Sequence, residues 1–448
     1  LTVHTPPMKV VHAADLHIDS PLRGLGRHEG LPVEQVRLAT RHALINLVDL
    51  CLAQRANVLL LAGDVFDGEW RDFNTGVFFV RQLARLRSSG TEVVMLHGNH
   101  DAESPLVHDI PLPSHVRVLG CGAPETVVFK QFGLAVHGQS YAHRVVDDNL
   151  AANYPKPLHG LINIGMLHTN ANGSADHGNY APCTVKQLVR HGYHYWALGH
   201  VHQRVVLHRN PWVVYPGNLQ GRHARETGPK GCMLIELSGQ RVVDATFVPL
   251  DVLRWHDLAV EVGTDDTSLD LDAKIRKALT GLRIKAGTRA ILVRVRVHGV
   301  TQLHQTLAAH PEALATRVRA IAADVGDVWP EKVLVQTQAP ESQQEGTNRL
   351  ALAQALRTRL DEIGRDKEAL AALCGHLETV AASVAPFVKT RPDRPEFVRE
   401  LLPQVEALVL GRLDQQLGGA KKHVQASTSP TGQEATRAAP VASVEPRG

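Results

Sequence analysis

Side chains of the types that bind divalent metal ions are grouped in five short blocks of the chain. Their donors are nitrogen and oxygen with no thiolate, a set that suits manganese, iron or magnesium and also allows zinc. Two such cations about 3.5 to 4 Å apart clamp both oxygens of a phosphoryl displacement and lower the pKa of a bound water. We therefore predict a centre for two divalent ions, with manganese as the expected metal. The predicted ligands are Asp15, His17, Asp64, Asn99, His168, His200 and His202.

The two ions require one shared anion and two separate sets of ligands. We assign the bridging position to Asp64, whose neighbour Gly63 lets the backbone turn sharply. Asp15 and His17 lie two residues apart and can reach the same ion, whose shell His202 completes. The second ion is assigned to Asn99, His168 and His200.

Each block follows an apolar run with the composition of a β-strand. The runs occupy residues 9–14, 58–62, 92–96, 161–166 and 195–198. In open α/β sheets, ligands bind outside the carboxyl ends of the strands, where neighbouring loops converge. With 26 histidines in the chain, any single block is weak support for a metal site. The order of all five blocks, each after a strand, favours one site.

His100 is the candidate general acid, because a protonated group beside the leaving oxygen speeds its departure. It directly follows the predicted ligand Asn99. Either Asp101 or Asp67 can orient its ring and raise its pKa through a nearby negative charge. We therefore place His100 and Asp67 in the catalytic group.

The metal-ligating blocks resemble those of the calcineurin-like metallophosphoesterase family. Within that family, residues 10–20, 63–76 and 215–223 resemble the SbcD-like DNA repair exonucleases, in particular their YhaO-type branch. The resemblance covers about residues 8–250 and implies a four-layer α/β/β/α sandwich. It also implies a DNA exonuclease or endonuclease that works with an SMC-type, SbcC-like ATPase. The matching blocks are Asp15-Leu16-His17, Gly63-Asp64-Val65-Phe66-Asp67, Gly98-Asn99-His100-Asp101, His168 and Gly199-His200-Val201-His202.

Asp67 departs from the pattern of the SbcD-like nucleases, which commonly carry a histidine there to position the substrate phosphate. A carboxylate cannot attract a phosphodiester, so Asp67 is expected to orient His100 or bind an outer water. The loop 215–223 is the second candidate for substrate contact, through Arg222 and His223. A structural turn between strands is the alternative interpretation of this loop.

Composition shifts divide the chain into four parts. Residues 8–250 alternate strand-like and helix-like segments and form the predicted catalytic domain. Residues 251–338 form a predicted small α/β capping domain, which the resemblance implies helps to select DNA. Residues 345–415 carry leucines at helical spacing, typical of a two-helix hairpin or of a docking site for the ATPase. Residues 418–448 are poor in large apolar side chains and are predicted to be disordered.

The strand predicted at 291–297 alternates valine or isoleucine with Arg294, Arg296 and His298. This period of two indicates a half-buried strand with one basic face. The face either contacts DNA phosphates or is an ordinary solvated surface, and the sequence leaves both interpretations open. The formal net charge of +3 does not decide between them.

Five dispersed cysteines without a CxxC spacing favour reduced thiols, and no apolar run has the length of a membrane span. We therefore expect a cytoplasmic protein without a membrane partner.

A metallophosphatase or small-molecule phosphodiesterase on the same centre is the alternative enzyme. A scaffold with a vestigial metal site is a further alternative. The oligomeric state is open, with a homodimer among the options.

Overall fold

The structure is a computed structural model that describes residues 7–20, 36, 38–67, 72–104, 110–171, 180–340, 347–384 and 394–425. Its strands are β1 (Met8–Ala13), β2 (Val58–Ala62), β3 (Glu92–Leu96), β4 (Val116–Val118), β5 (Glu125–Phe129), β6 (Leu134–Gly138), β7 (Ile162–His168), β8 (Tyr195–Gly199), β9 (Val205–Arg209), β10 (Trp212–Tyr215), β11 (Gly231–Ser238), β12 (Arg241–Pro249), β13 (Leu253–Glu261), β14 (Ala290–Val300) and β15 (Val328–Gln338). Its α-helices are α1 (Ala39–Gln54), α2 (Phe73–Arg85), α3 (Val185–His191), α4 (Ser268–Ala286), α5 (His304–Ala309), α6 (Pro311–Val325), α7 (Thr347–Arg365), α8 (Lys367–Val384) and α9 (Pro395–Gln425).

Two six-stranded sheets form the main body of the fold. The first has the order β12-β11-β1-β2-β3-β4 and the second the order β5-β6-β7-β8-β10-β9. β1, β2, β3 and β4 are parallel to one another, as are β6, β7 and β8. Strands buried on both faces consist of continuous apolar runs, as β2 does with Val58-Leu59-Leu60-Leu61-Ala62.

Alternate residues of the central strands pack on opposite faces of each sheet. Helices α1 and α2 cover the outer face of the first sheet, and α3 covers the outer face of the second. The two sheets pack against each other through their inner faces. This inner core includes Val10, Val58, Leu60, Val94, Ile164, Met166 and Tyr195. The predicted mixed α/β fold, with two large sheets and helices at the C-terminal end, is therefore confirmed.

The chain forms two compact units. The first comprises Leu1–Val260, Asp270–Val297 and Ala315–Leu334, and the second comprises Glu261–Leu269, His298–Leu314 and Val335–Gly448. The domain boundaries at residues 250 and 338 stay predictions.

The basic face of the strand at 291–297 carries ion pairs. β14 lies between β13 and β15 in a three-stranded sheet. Arg294 donates two hydrogen bonds to Glu331, at 3.0 and 3.1 Å, and Arg296 Nε donates to Asp257 Oδ1 at 2.7 Å. Since carboxylates of the neighbouring strands occupy both guanidiniums, the interpretation as a solvated sheet face is favoured over a phosphate contact.

The helical region beyond residue 347 contains three described helices where the sequence predicted two. The break falls at Asp366, whose carboxylate accepts the backbone N–H groups of Glu368 and Ala369 at 2.8 and 3.2 Å. A side-chain oxygen in this position caps the start of a helix, so the leucine stripe is divided between α7 and α8. Pro403 lies inside α9. The helix runs to Gln425, and residues 426–448 of the predicted tail are outside the described residues.

Among the described residues, no helix has the length and hydropathy needed to cross a bilayer. All five cysteines are free thiols, and only Cys121 is exposed.

Candidate metal centre

The predicted ligands lie at or just after the carboxyl ends of β1, β2, β3, β7 and β8. The ends of the two sheets meet there, because the backbone N–H of His200 donates to both carboxylate oxygens of Asp15, at 3.0 and 3.1 Å. Six of the seven side chains are buried, and His202 retains 19% side-chain exposure. The structure therefore brings all seven into one crevice.

Four of the predicted ligands have a left-handed backbone, which non-glycine residues rarely adopt. The φ angles are 52° at Asp15, 43° at His17, 53° at Asp64 and 99° at His200, four of the eight positive values at described non-glycine residues. Each such residue costs about 1–3 kcal/mol, and such strain clusters at functional sites. Hydrogen bonds hold these turns in place, with Asp15 N donating to Gly63 O and His17 N to Asp64 O, both at 3.0 Å.

The first group of ligands consists of Asp15, His17 and His202. The Nδ1 atoms of the two histidines lie 3.2 Å from Asp67 and 2.7 Å from Glu226, respectively. Since an ionised carboxylate only accepts hydrogen bonds, each Nδ1 carries the ring proton. The two Nε2 atoms face each other at 3.3 Å with their lone pairs. A cation between them removes this repulsion, so the group fits a metal ion.

The second group is built around His168. Its Nδ1 donates to the carbonyl of Ala62 at 2.9 Å. Its Nε2 faces two oxygens, Asn99 Oδ1 at 3.0 Å and Asp64 Oδ2 at 3.4 Å. His200 Nδ1 lies 3.2 Å from the same Asn99 oxygen. Acceptor atoms that converge in this way require a cation, either a proton or a metal ion.

Asp64 lies between the two groups. Its Oδ1 accepts the backbone N–H of His100 at 2.9 Å, which leaves Oδ2 facing His168 Nε2 at 3.4 Å and His17 Nε2 at 3.8 Å. A Cβ at Gly98 would overlap the Asp64 carboxylate, and one at Gly63 would lie 2.5 Å from His168 Nδ1. The close approach of the loops thus requires both glycines, and Asp64 Oδ2 would be available to an ion held by either group of ligands.

Charge in the centre is set by burial and by the neighbouring carboxylates. Burial alone lowers the pKa of His168, but the Asp64 and Asp15 carboxylates outweigh it and raise this pKa to about 9. Burial raises the pKa of Asp64, and the three surrounding histidines, His168 first, outweigh it and lower that pKa. Burial and the Arg222 charge lower the pKa of His17 to about 3. The neutral form of His17 is therefore favoured, which leaves a lone pair for a cation, whereas a protonated His168 would have to release its proton before binding one.

Asp67 orients the candidate acid His100. Its Oδ1 lies 3.1 Å from His100 Nδ1 and 3.2 Å from His17 Nδ1. The His100 side chain is 35% exposed, and its ring packs edge-on against His17 with centroids 5.0 Å apart. Burial lowers the pKa of His100, but the Asp67 hydrogen bond and the charges of Asp64 and Asp67 raise it overall. His100 is thus held beside the centre, in surroundings that favour its protonated form.

Asp101, the other carboxylate considered for orienting His100, holds the two loops together. It is fully buried and accepts the backbone N–H groups of Val65, Phe66 and Gly98, at 3.1, 2.9 and 3.1 Å. Burial and the nearby Asp64 charge raise its pKa to about 7. Asp67, and not Asp101, is therefore the carboxylate that orients His100.

Glu226 lies in the centre although no sequence motif predicts it there. Its buried carboxylate binds His202 Nδ1 at 2.7 Å and accepts hydrogen bonds from Asn218 Nδ2 at 2.9 Å and Arg222 N at 2.7 Å. Burial raises its pKa, but His202 and Arg222 lower it overall. No motif marks Glu226, because the loop after β10 must fold before it meets His202.

Arg222 lies in the centre, and His223 lies at its edge. Arg222 Nη2 is 3.2 Å from both Glu226 Oε1 and His202 Nδ1, and its Nη1 is 3.9 Å from Asp67 Oδ2. His223 is 49% exposed, with Nε2 3.5 Å from Glu226. Both side chains are near enough to contact a substrate, but the Arg222 guanidinium is already held by the Glu226 carboxylate.

The Glu226→Gln protein is expected to bind Mn²⁺ about 10–100-fold more weakly, the usual loss when a carboxylate behind a ligating histidine is removed. Glutamine retains an acceptor for His202 Nδ1 but not the charge that raises the basicity of the ring. Calorimetric titration with Mn²⁺ measures the change. Glu236→Gln on β11 is the matched control, and equal affinities of the two variants would contradict the role of Glu226.

Comparison with known proteins shows that two regions of the chain match known protein families. Residues 8–204 match the calcineurin-like phosphoesterase family, and residues 255–338 match the middle domain of the metallophosphoesterase YhaO. The uncharacterized metallophosphoesterase YhaO of Bacillus subtilis (strain 168) is 34% identical over 293 residues, which cover 64% of this chain and 71% of that protein. The DNA double-strand break repair protein Mre11 of Methanopyrus kandleri is 24% identical over 300 residues, covering 60% of this chain and 63% of the relative, less than two thirds of its length.

Two solved structures are also similar. TT1561 of Thermus thermophilus is 12% identical with a TM-score of 0.31, covering 54% of this chain and 99% of that one. A dimetal phosphatase from Danio rerio is 10% identical with a TM-score of 0.32, covering 52% and 93%. The identity and coverage of the Bacillus subtilis relative, together with the two matched regions, decide the family. The chain belongs to the calcineurin-like metallophosphoesterases, hydrolases that use divalent metals, and carries the YhaO middle domain.

Proposed function

We propose that this chain is a phosphodiesterase that hydrolyses DNA with two divalent cations, manganese being the expected metal. One observation carries the two-cation site: His168 and His17 each direct Nε2 toward the same Asp64 oxygen, at 3.4 and 3.8 Å. The similarity to the Mre11 repair protein supports DNA as the substrate. The match of residues 255–338 to the YhaO middle domain supports a separate domain there, and its use as a capping region that recognises DNA is part of the proposal.

Bound divalent cations supply an activated water and neutralise charge on the phosphoryl oxygens. The chain's own residues hold the ligands in place. Asp67 and Glu226 fix the rings of His17 and His202 from behind, and Ala62 O fixes His168. His100 is placed to donate its proton to the leaving oxygen, while Asp67 stabilises the charged ring before the transfer.

A partner ATPase of the SMC type, bound through the C-terminal helices, is part of the proposal. α9 exposes Val405 and Leu408, at 42% and 38%, and α8 exposes Leu373 at 37%. Leu370, Cys374 and Val398 of the same helices form a small buried core. The helices thus support each other and still present apolar side chains.

The proposal includes a cytoplasmic location. A DNA substrate and five free thiols both fit that compartment.

A metallophosphatase or small-molecule phosphodiesterase is the second candidate function, and Asp67 is the observation that favours it. The Asp67 carboxylate is 19% exposed beside the centre and is paired with His100, so this position offers no positive charge to the phosphates of a DNA strand. A small substrate with a single phosphate does not need such a contact.

The deciding experiment incubates the full chain and Mn²⁺ with single-stranded DNA, duplex DNA and bis(p-nitrophenyl) phosphate, beside an Asp64→Ala control. The unaltered chain is expected to cleave DNA, and the Asp64→Ala control is not. Cleavage of the bis-ester without either DNA establishes the second candidate instead. DNA cleavage at equal rates by both proteins would refute the proposed centre as its source.

A further inference from the structure

A pocket of about 650 Å³ lies at the opposite end of β8 from the metal centre. Its walls come from the segment before β8, from the β9–β10 turn and from the β11–β12 turn. The predicted ligands His200 and His202 follow the carboxyl end of β8, and the pocket residue His194 precedes its amino end. A five-residue strand spans about 17 Å at roughly 3.3 Å per residue. We call this second site the basal pocket.

Two arginines from different sheets flank the basal pocket. Arg209 ends β9 of the second sheet and Arg241 begins β12 of the first, and both side chains are exposed. Within the described part of the chain, no carboxylate lines the pocket and neither guanidinium has an ion-pair partner. Arg294 and Arg296, by contrast, are both paired with carboxylates. The pocket therefore offers two positive charges to an external anion.

His194 adds a hydrogen-bond donor to the lining of this pocket. Its Nδ1 accepts the backbone N–H of Asn163 at 3.0 Å, so the proton of the neutral ring is on Nε2. The side-chain amide of Gln240, in the β11–β12 turn, is a further donor and acceptor in the wall. These groups provide hydrogen bonds beside the arginine charges.

Trp212 supplies an aromatic surface in the same pocket. Its indole is half-buried and packs partly against the inner core, and the Arg209 guanidinium lies over the ring, 5.0 Å from its centroid. The backbone N–H of Trp212 donates to His194 O at 3.3 Å, which ties this wall to the segment before β8. Stacking on an aromatic ring beside an arginine is how proteins hold nucleobases without reading their sequence.

We infer that the basal pocket binds a nucleotide, with its phosphate against Arg209 and Arg241 and its base against Trp212. The volume lies in the range of sites for small ligands. A free nucleotide and one residue of a single strand share this chemistry. The inference uses no residue of the metal centre and stands independently of the proposed function.

The test measures binding of AMP, adenosine, inorganic phosphate and a ten-residue oligo(dT) to the Mn²⁺-loaded full chain by calorimetry. The Arg209→Gln/Arg241→Gln protein is expected to bind AMP at least about tenfold more weakly, the loss of about 1.4 kcal/mol. Trp212→Leu is expected to weaken AMP but not phosphate. Arg81→Gln, an exposed arginine of α2, is the matched control.

Hydrolysis of bis(p-nitrophenyl) phosphate reports on the folding of each variant and is expected to stay unchanged. If the double variant loses this activity, the two single arginine variants replace it, each with a smaller expected loss of AMP affinity. Because the metal centre also binds phosphate groups, the pocket is read from the change that each substitution causes. A larger loss of affinity for oligo(dT) than for AMP in the arginine double variant identifies a nucleic-acid strand as the source, and a larger loss for AMP identifies a free nucleotide. Equal AMP affinity in the unaltered and arginine-substituted proteins, or unchanged AMP affinity in Trp212→Leu, overturns the inference.

Discussion

Replacement of Asp64 by alanine is expected to lower kcat for phosphodiester hydrolysis by about 10³-fold or more. Its Oδ2 faces His168 and His17, one from each group of predicted ligands, so the change would remove the anion that the two proposed metal sites share. Metal ions contribute several kcal/mol to the transition state of phosphoryl transfer, and about 1.4 kcal/mol corresponds to a tenfold change in rate. Steady-state kinetics with Mn²⁺ and measurement of bound metal check the expectation together.

The metal content of the Asp64→Ala protein is expected to fall along with its activity. Asp64→Asn provides a closer test, because the amide oxygen can still accept the His100 backbone N–H but carries no charge. Asp148→Ala, which removes an exposed carboxylate far along the chain, is the control. Retention of two metal ions and of normal turnover by both Asp64 variants would show that another group bridges the ions.

Much of this centre is predictable because its ligands sit immediately after apolar strands. β2 and β3 have the bounds predicted from the sequence, β1 and β7 differ by one or two residues at each end, and β8 is one residue longer at its carboxyl end. The end of a strand limits where the next two or three residues can lie, because the backbone advances only about 3.3 Å per residue. Local sequence is therefore enough to place Asp15, Asp64, Asn99, His168 and His200 at one edge.

The contacts behind the ligands could not be predicted in the same way, because they join residues far apart in the chain. Glu226 meets His202 only after the loop that follows β10 has folded. The basic face of β14 has a clear sequence pattern, but the carboxylates that pair with it come from β13 and β15. Periodicity identifies a strand and its faces, whereas the charge across each face depends on which strands become neighbours.

Replacing the candidate general acid His100 by asparagine is expected to lower kcat by about 10²–10⁴-fold, which is the usual contribution of proton transfer. His100 is bonded to Asp67 and lies outside both groups of predicted ligands. Its removal should therefore leave the Mn²⁺ content close to that of the unaltered chain. This separates the variant from Asp64→Ala, in which activity and metal are expected to fall together.

The loss in His100→Asn should also depend on the leaving group. A p-nitrophenolate departs readily without a proton, whereas an alkoxide such as the sugar oxygen of DNA needs one, so an acid matters most for the poorer leaving group. Comparing bis(p-nitrophenyl) phosphate with diphenyl phosphate, whose phenolate is a poorer leaving group, and with DNA therefore separates proton donation from positioning. His143→Asn, an exposed histidine, serves as the control. Equal losses on all three substrates would indicate that His100 positions the phosphate, and its contact with Asp67 would then orient a hydrogen-bond donor instead of an acid.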